Sequence, residues 1–182
     1  PIDMNCQGYI RLLAQGRERE AAEEMRAATP FGAILGRICT HPCESSCERG
    51  QVDSPVSIRA IKRYLADAFP EIACRPAPPA RETGRSAAVI GSGPAGMTAA
   101  YELRASGHQV TVYETAPEPG GLLRYGIPAF RLPAATVNRS VELLTGMGID
   151  FRTSQALANS PVPASLLSRH GAVVVAVGAG VS

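Results

Sequence analysis

Two hydrophobic periods divide the chain. From the start to about residue 69, apolar positions recur at helical spacing. Tyr9, Ile10, Leu12 and Leu13 make a short amphipathic stretch that Gly16 interrupts, and residues 17–28 (REREAAEEMRAA) are strong helix formers. Thr29-Pro30 stops that helix. A cysteine-rich loop spans 37–50. Ser54-Pro55 then opens a second helical stretch over 57–69, with Ile58, Ile61, Tyr64, Leu65 and Phe69 on one face. Residues 70–84 carry four prolines and no hydrophobic period, which predicts a semi-rigid linker over 70–85 and a domain boundary.

After the linker, strand and helix patterns alternate. Residues 86–92 (SAAVIGS) read as a buried strand entering a glycine turn, 94–105 as a helix and 108–114 as a second strand. A loop rich in glycine and proline runs to about 133. Residues 134–147 read as a helix, 149–153 as a short strand, 163–168 as a short helix and 172–178 as a buried strand. This order predicts a parallel, doubly wound sheet. The expected fold is therefore a helical domain over 1–69 followed by an α/β domain over 86–182.

Composition narrows the function classes. The 182 residues include 18 basic and 16 acidic side chains, for a formal charge of +2, so no nucleic-acid-binding polycation is expected. All the basic residues except Lys62 are arginines. The longest apolar run, 172–177, is far too short to cross a bilayer. The start, PIDMNC, shows no secretory pattern, and the reading is a cytoplasmic protein with no membrane partner.

The strongest local signal is VIGSGPAG, in which Gly91, Gly93 and Gly96 form G-x-G-x-x-G around Ser92, Pro94 and Ala95. In this motif the first glycine allows the strand-to-helix turn, the second lets a pyrophosphate approach the backbone, and the third lets helix and strand pack closely. The helix N-terminus faces the phosphates with free N–H groups. A second strand ends in Glu114, 23 residues after Gly91, where a carboxylate accepts bonds from ribose hydroxyls. The fingerprint alone does not choose between FAD and NAD. Gly120-Gly121-Leu122 resembles the second phosphate and flavin contact of flavoproteins with two dinucleotide-binding domains. The strand ending in Gly178-Ala179 resembles the later turn of that family beside FAD.

Five cysteines are an odd number, which argues against a closed disulfide framework. Cys39, Cys43 and Cys47 lie within nine residues, and such crowding reads first as a metal or cluster site. A C-x3-C-x3-C set leaves zinc and plain core cysteines open as alternatives, although zinc sites favour C-x2-C pairs. His41, His108 and His170 show no triad or metal spacing, and solvated or turn positions are expected for them.

Taken in order, CTHPCESSC, PVSIRAIKR, the proline-rich linker, VIGSGPAG and GGLLRYGIPAFRLP resemble the glutamate synthase small (beta) subunit family. Its relatives include the N-terminal half of dihydropyrimidine dehydrogenase. The resemblance spans nearly the whole chain. It implies a helical domain holding 4Fe–4S clusters, with Cys39, Cys43 and Cys47 among the ligands, and the first part of a Rossmann-like FAD-binding domain. It also implies that the upstream cysteine ligands precede Pro1, so that the chain is a fragment. Family members often complete one cluster with Glu or Gln at the position of Lys62, and an ammonium is a poor iron ligand. Cys6 falls where relatives carry an aliphatic residue and reads as core or a free thiol. Cys74, in the linker, receives no role.

The implied function is electron input. NAD(P)H, bound by a domain outside this chain, reduces FAD, and the clusters carry electrons to or from a partner subunit or domain. Gly91–Gly96, Glu114, Gly120, Gly121, Leu122, Gly178 and Ala179 would hold FAD, with Ile38 where the cluster loop meets the flavin. Arg131 stands either near the flavin or phosphate or simply on the surface. No residue is assigned acid–base chemistry. The rival reading is a non-enzymatic electron-transfer or docking module that lacks a nicotinamide domain.

Overall fold

A computed structural model describes residues 4–77, 79, 81–155 and 164–179. The chain divides into two units, residues 1–75 and 76–182.

The first unit is helical, with α1 (Cys6–Ala14), α2 (Glu18–Ala28), α3 (Gly32–Ile38), α4 (Pro42–Ser45), a 3-10 turn (Glu48–Gln51), α5 (Ile58–Ala68) and α6 (Pro70–Ala73). Asn5 caps α1: its side-chain oxygen accepts the Gly8 N–H at 2.9 Å while its amide donates to Glu24 on α2 at 2.8 Å. The core is built on Tyr9, Ala21, Ala22, Met25, Leu65 and Ile72. The paired alanines of α2 leave room for the Tyr9 ring.

Helix α3 occupies residues that the sequence pattern leaves unassigned ahead of the cysteine loop. Its small residues explain both its faint signal and its packing. Gly32, Ala33 and Gly36 are buried with Ile34, and a Cβ built on Gly36 would stand 2.7 Å from the backbone N and Cα of Arg63. Helices α3 and α5 therefore meet backbone to backbone. Arg37 fastens the crossing by donating to both oxygens of Asp67 at 2.8 and 2.9 Å.

The stretch read as a linker is shared between the two units. Pro70 opens α6, whose Ile72 and Ala73 are buried in the helical core. At its other end the Thr83 N–H donates to the Gly107 carbonyl at 2.9 Å, and Glu82 pairs with Arg104.

The second unit contains β1 (Ser86–Ile90), α7 (Pro94–Ala105), β2 (Gln109–Tyr113), α8 (Leu122–Tyr125), α9 (Ala134–Gly146), β3 (Asp150–Arg152), α10 (Ala164–Arg169) and β4 (Ala172–Val175). The sheet order is β3-β2-β1-β4 and every pairing is parallel. The expected doubly wound α/β architecture is thus present, with strands two or three residues shorter than expected. The expected start of the short helix at Pro163 lies outside the described residues. Val89 pairs with Val112 on one side and Val174 on the other, and residues 87–90 of this central strand are all buried. The chain winds from β1 outward to β3 and then returns to the other side of β1. The carboxyl ends of β1 and β4 therefore form a topological switch point, the place where open α/β sheets bind ligands.

The α3–α5 contact yields a prediction. Gly36→Ala gains up to about 1 kcal/mol of helix propensity, yet forces two backbones apart. A net loss of about 1–3 kcal/mol is expected from overpacking. Gly50→Ala, whose Cβ would have 3.6 Å to its nearest neighbour, is the control and should stay within about 0.5 kcal/mol. Thermal unfolding by circular dichroism measures both, and equal stabilities for the two variants would contradict the close crossing.

Candidate functional site

The switch point opens on a cavity of about 690 Å³. Residues 91–95, Glu114, Gly121, Leu122, Gly178 and Ala179 all line it, so three glycine motifs far apart in sequence converge there. Each glycine of the fingerprint has a different reason to be glycine. Gly91 has φ +98° and a Cβ there would lie 2.4 Å from the Ala176 carbonyl oxygen. A Cβ on Gly96 would lie 1.9 Å from the Gly91 oxygen. The fold itself demands both. Gly93 has ordinary φ and nothing within 4 Å of a built Cβ, which would project into the cavity. The fold does not need a glycine here; in this motif the second glycine leaves room for a ligand to approach the backbone.

Helix α7 begins beside this residue, with Gly93 as N-cap and Pro94 in the first turn, and no side chain caps its N–H groups. They remain for an anion at the positive end of the helix dipole. Gly121, with φ +51°, brings the second motif to the first: a Cβ there would stand 2.7 Å from the Gly93 Cα.

Ser92 joins the motifs. It is fully buried, its N–H donates to Glu114 Oε2 at 2.9 Å, its hydroxyl donates to the same oxygen, and the hydroxyl accepts the Gly120 N–H at 3.0 Å. The other Glu114 oxygen accepts the Ala116 N–H at 2.8 Å. Burial works to raise the Glu114 pKa. Hydrogen bonds from the Ser92 hydroxyl and the Ala116, Ser92 and Thr115 N–H groups overcome it and hold the carboxyl below its ordinary range. Glu114 is thus an ionised acceptor on the cavity wall whose first partners are the protein's own donors.

Arg131 is exposed and does not line this cavity, and Ile38 ends α3, half-buried, in the other unit. Tyr125, Thr115 and Gln155 do line it, and the sequence reading overlooked them. Tyr125 lies in the conspicuous GGLLRYG run and was the findable one. Gln155 arrives through a backbone bond, its N–H donating to the Glu114 carbonyl at 2.9 Å, which no sequence pattern announces.

In the helical unit, Cys39 caps the C-terminus of α3, Cys43 lies on α4 and Cys47 precedes the 3-10 turn. Helix α5 holds the loop in place: Glu44 Oε1 accepts the Arg59 N–H at 2.8 Å and the Arg59 guanidinium donates to the Cys39 carbonyl at 3.3 Å. The three cysteines separate into two environments. Burial pushes the Cys43 thiol up, Cys6 pushes it further, Lys62 works against this and Cys39 adds to it. Backbone N–H groups of Val56 and Arg49 instead bring the Cys47 thiol below its ordinary value. Among the described residues, no three His, Cys, Asp or Glu side chains come close enough to share one metal ion. A single zinc needs its sulfurs about 2.3 Å from one centre. An iron–sulfur cluster binds each thiolate to a different iron and suits wider spacing.

Comparison with known proteins follows the same division. Residues 1–73 match the family described as dihydropyrimidine dehydrogenase domain II, 4Fe-4S cluster, and residues 89–157 match the NAD(P)-binding Rossmann-like domain. The chain is 40% identical over 179 residues to glutamate synthase [NADH] of Saccharomyces cerevisiae, covering 98% of this chain and 8% of that one. It is 40% identical over 169 residues to the glutamate synthase [NADPH] small chain of Bacillus subtilis, covering 92% and 34%. Over the part it spans, the chain is similar to glutamate synthase small chains. Another relative of this family group, the NADP(+)-dependent formate dehydrogenase subunit beta of Moorella thermoacetica, is 34% identical over 200 residues, covering 98% and 28%. The chain spans about a third or less of these relatives. Among the described residues no helix is long and apolar enough to cross a membrane.

The Ser92–Glu114 contact makes stability depend on pH. The Glu114 pKa lies below its ordinary 4.5, so its contribution is complete above that value and fades as pH falls through the lower folded one. Glu114→Ala leaves buried donors unanswered and should cost about 1.5–3 kcal/mol at pH 7. Urea unfolding of both proteins at pH 7, 5 and 3.5 tests this, and the deficit should shrink at the lowest pH. A deficit that is constant with pH would mean that the charge plays no part.

Proposed function

We propose that this chain is the electron-input portion of an NAD(P)H-dependent flavoprotein oxidoreductase of the glutamate synthase small-chain type. Its second unit holds FAD, and its first unit belongs to a 4Fe–4S domain that exchanges electrons with a partner subunit or domain. The observation that carries this reading is Gly93, a glycine the fold does not require, facing a cavity where Gly121 closes on it.

The chain's own residues supply binding and orientation. The uncapped N–H groups at the start of α7 bind a pyrophosphate. Glu114, kept ionised by Ser92 and Ala116, offers its remaining lone pairs to ribose hydroxyls and disfavours a phosphate at that position. Gly120 and Gly121 pass the ligand along the Gly93 backbone toward Leu122, Tyr125 and the turn at Gly178 and Ala179. Flavin accepts two electrons from nicotinamide and releases them singly, which matches a two-electron donor to iron–sulfur clusters. Nicotinamide binds in a part of the full-length protein outside this chain. We place the protein in the cytoplasm.

The test uses the full-length protein. Wild type should purify with flavin that absorbs near the usual flavin band and is released on denaturation. Gly93→Val should keep the circular dichroism of wild type and lose most of the flavin, because the side chain enters open space in the fold but occupied space in the complex. Full flavin content in Gly93→Val would overturn the assignment.

A further inference from the structure

A buried serine between two glycine motifs controls how much of Glu114 a ligand can reach. Ser92 is fully buried, and an alanine would fill such a place with no polar group to satisfy. A hydroxyl has one hydrogen to donate and two lone pairs with which to accept. The Gly120 N–H donates to Ser92 Oγ at 3.0 Å and takes one lone pair. An ionised carboxylate only accepts, so the hydroxyl's hydrogen goes to Glu114 Oε2. Buried and held from both sides, the hydroxyl keeps this orientation.

The consequence is a count of acceptor sites. A carboxylate offers about four, two on each oxygen. Ser92 occupies both sites of Oε2, one with its hydroxyl and one with its N–H at 2.9 Å. The Ala116 N–H, at 2.8 Å, occupies one site of Oε1. The Thr115 N–H acts on the carboxyl last and least among its donors. One site is left, on Oε1, and Glu114 lines the cavity. A ribose presents two neighbouring hydroxyls, and a carboxylate with both oxygens free accepts one on each. Glu114 has room for one.

We propose that Ser92 is a positioning residue for ribose recognition: by filling Oε2 it leaves Glu114 a single acceptor site, on Oε1, which takes one of the two adenosine ribose hydroxyls and not the other. This rests on the reading of the cavity as an FAD site and narrows its ribose contact. The same hydroxyl holds Gly120, so the grip on the ribose and the seat of the second glycine motif share one atom.

The full-length protein, freed of flavin, provides the test. It is titrated with FAD and with the two FAD analogues that lack the 2′- or the 3′-hydroxyl of the adenosine ribose, and binding is read from flavin fluorescence. In wild type the Kd values of the two analogues should differ by at least about fivefold, because one loses a bond to a charged acceptor and the other does not. In Ser92→Ala one site of Oε2 is freed, and the difference should fall to about twofold or less. A serine that served only to anchor the loop would weaken all three ligands alike and leave the difference as it was. A difference that persists in Ser92→Ala would therefore overturn the role of Ser92. Equal Kd values for the two analogues in wild type would overturn the single-hydroxyl grip, with no variant involved. A wild type that binds none of the three would instead overturn the FAD reading beneath it.

Discussion

The cavity depends on one buried hydroxyl. Ser92 ties the end of β1 to Glu114 beyond β2 and, through Gly120, to the loop that follows. That node ties the second glycine motif to the first. The bond is strong because its acceptor is ionised and its donors are withdrawn from water. Glycine makes the remaining room: at Gly91, Gly96 and Gly121 a single added carbon would meet backbone within 2.7 Å. The site is a set of backbones brought within contact of each other and pinned by a charge.

The helical unit solves a different problem with the same economy of size. Gly36 lets α3 settle on α5, and this crossing, with the Glu44–Arg59 and Arg59–Cys39 bonds, fixes the cysteine loop on the unit's surface. Cys43 remains exposed while Tyr9 lies fully buried. The two units differ in what they offer a ligand, one a cavity lined by backbone groups, the other a loop with three cysteines.

Much of this was legible in the chain. Alternating strands and helices after residue 86, G-x-G-x-x-G with an acidic residue at the end of the next strand, and three crowded cysteines each follow from local rules of spacing and turn chemistry. Helix α3 was not legible, because Gly32, Ala33 and Gly36 carry almost no hydrophobic signal while occupying the tightest contact in the unit. Pro70 looked like the start of a linker because proline ends helices; here it begins one, at a position where its missing N–H costs nothing.

By itself the sequence determined the two-part architecture, the parallel sheet and the motifs that line the cavity, since these rest on periodicity and on residues a few positions apart. Only the tertiary structure decided which motif glycines the fold needs and which it does not, and it separated Gly91 and Gly96 from Gly93 on the distance from a Cβ to its neighbours. It alone also set Gly36 against the backbone of Arg63, 27 positions away in the chain. Such groupings arise from how helices pack, and helix packing depends on the shape of side chains that leave no periodic mark of their own.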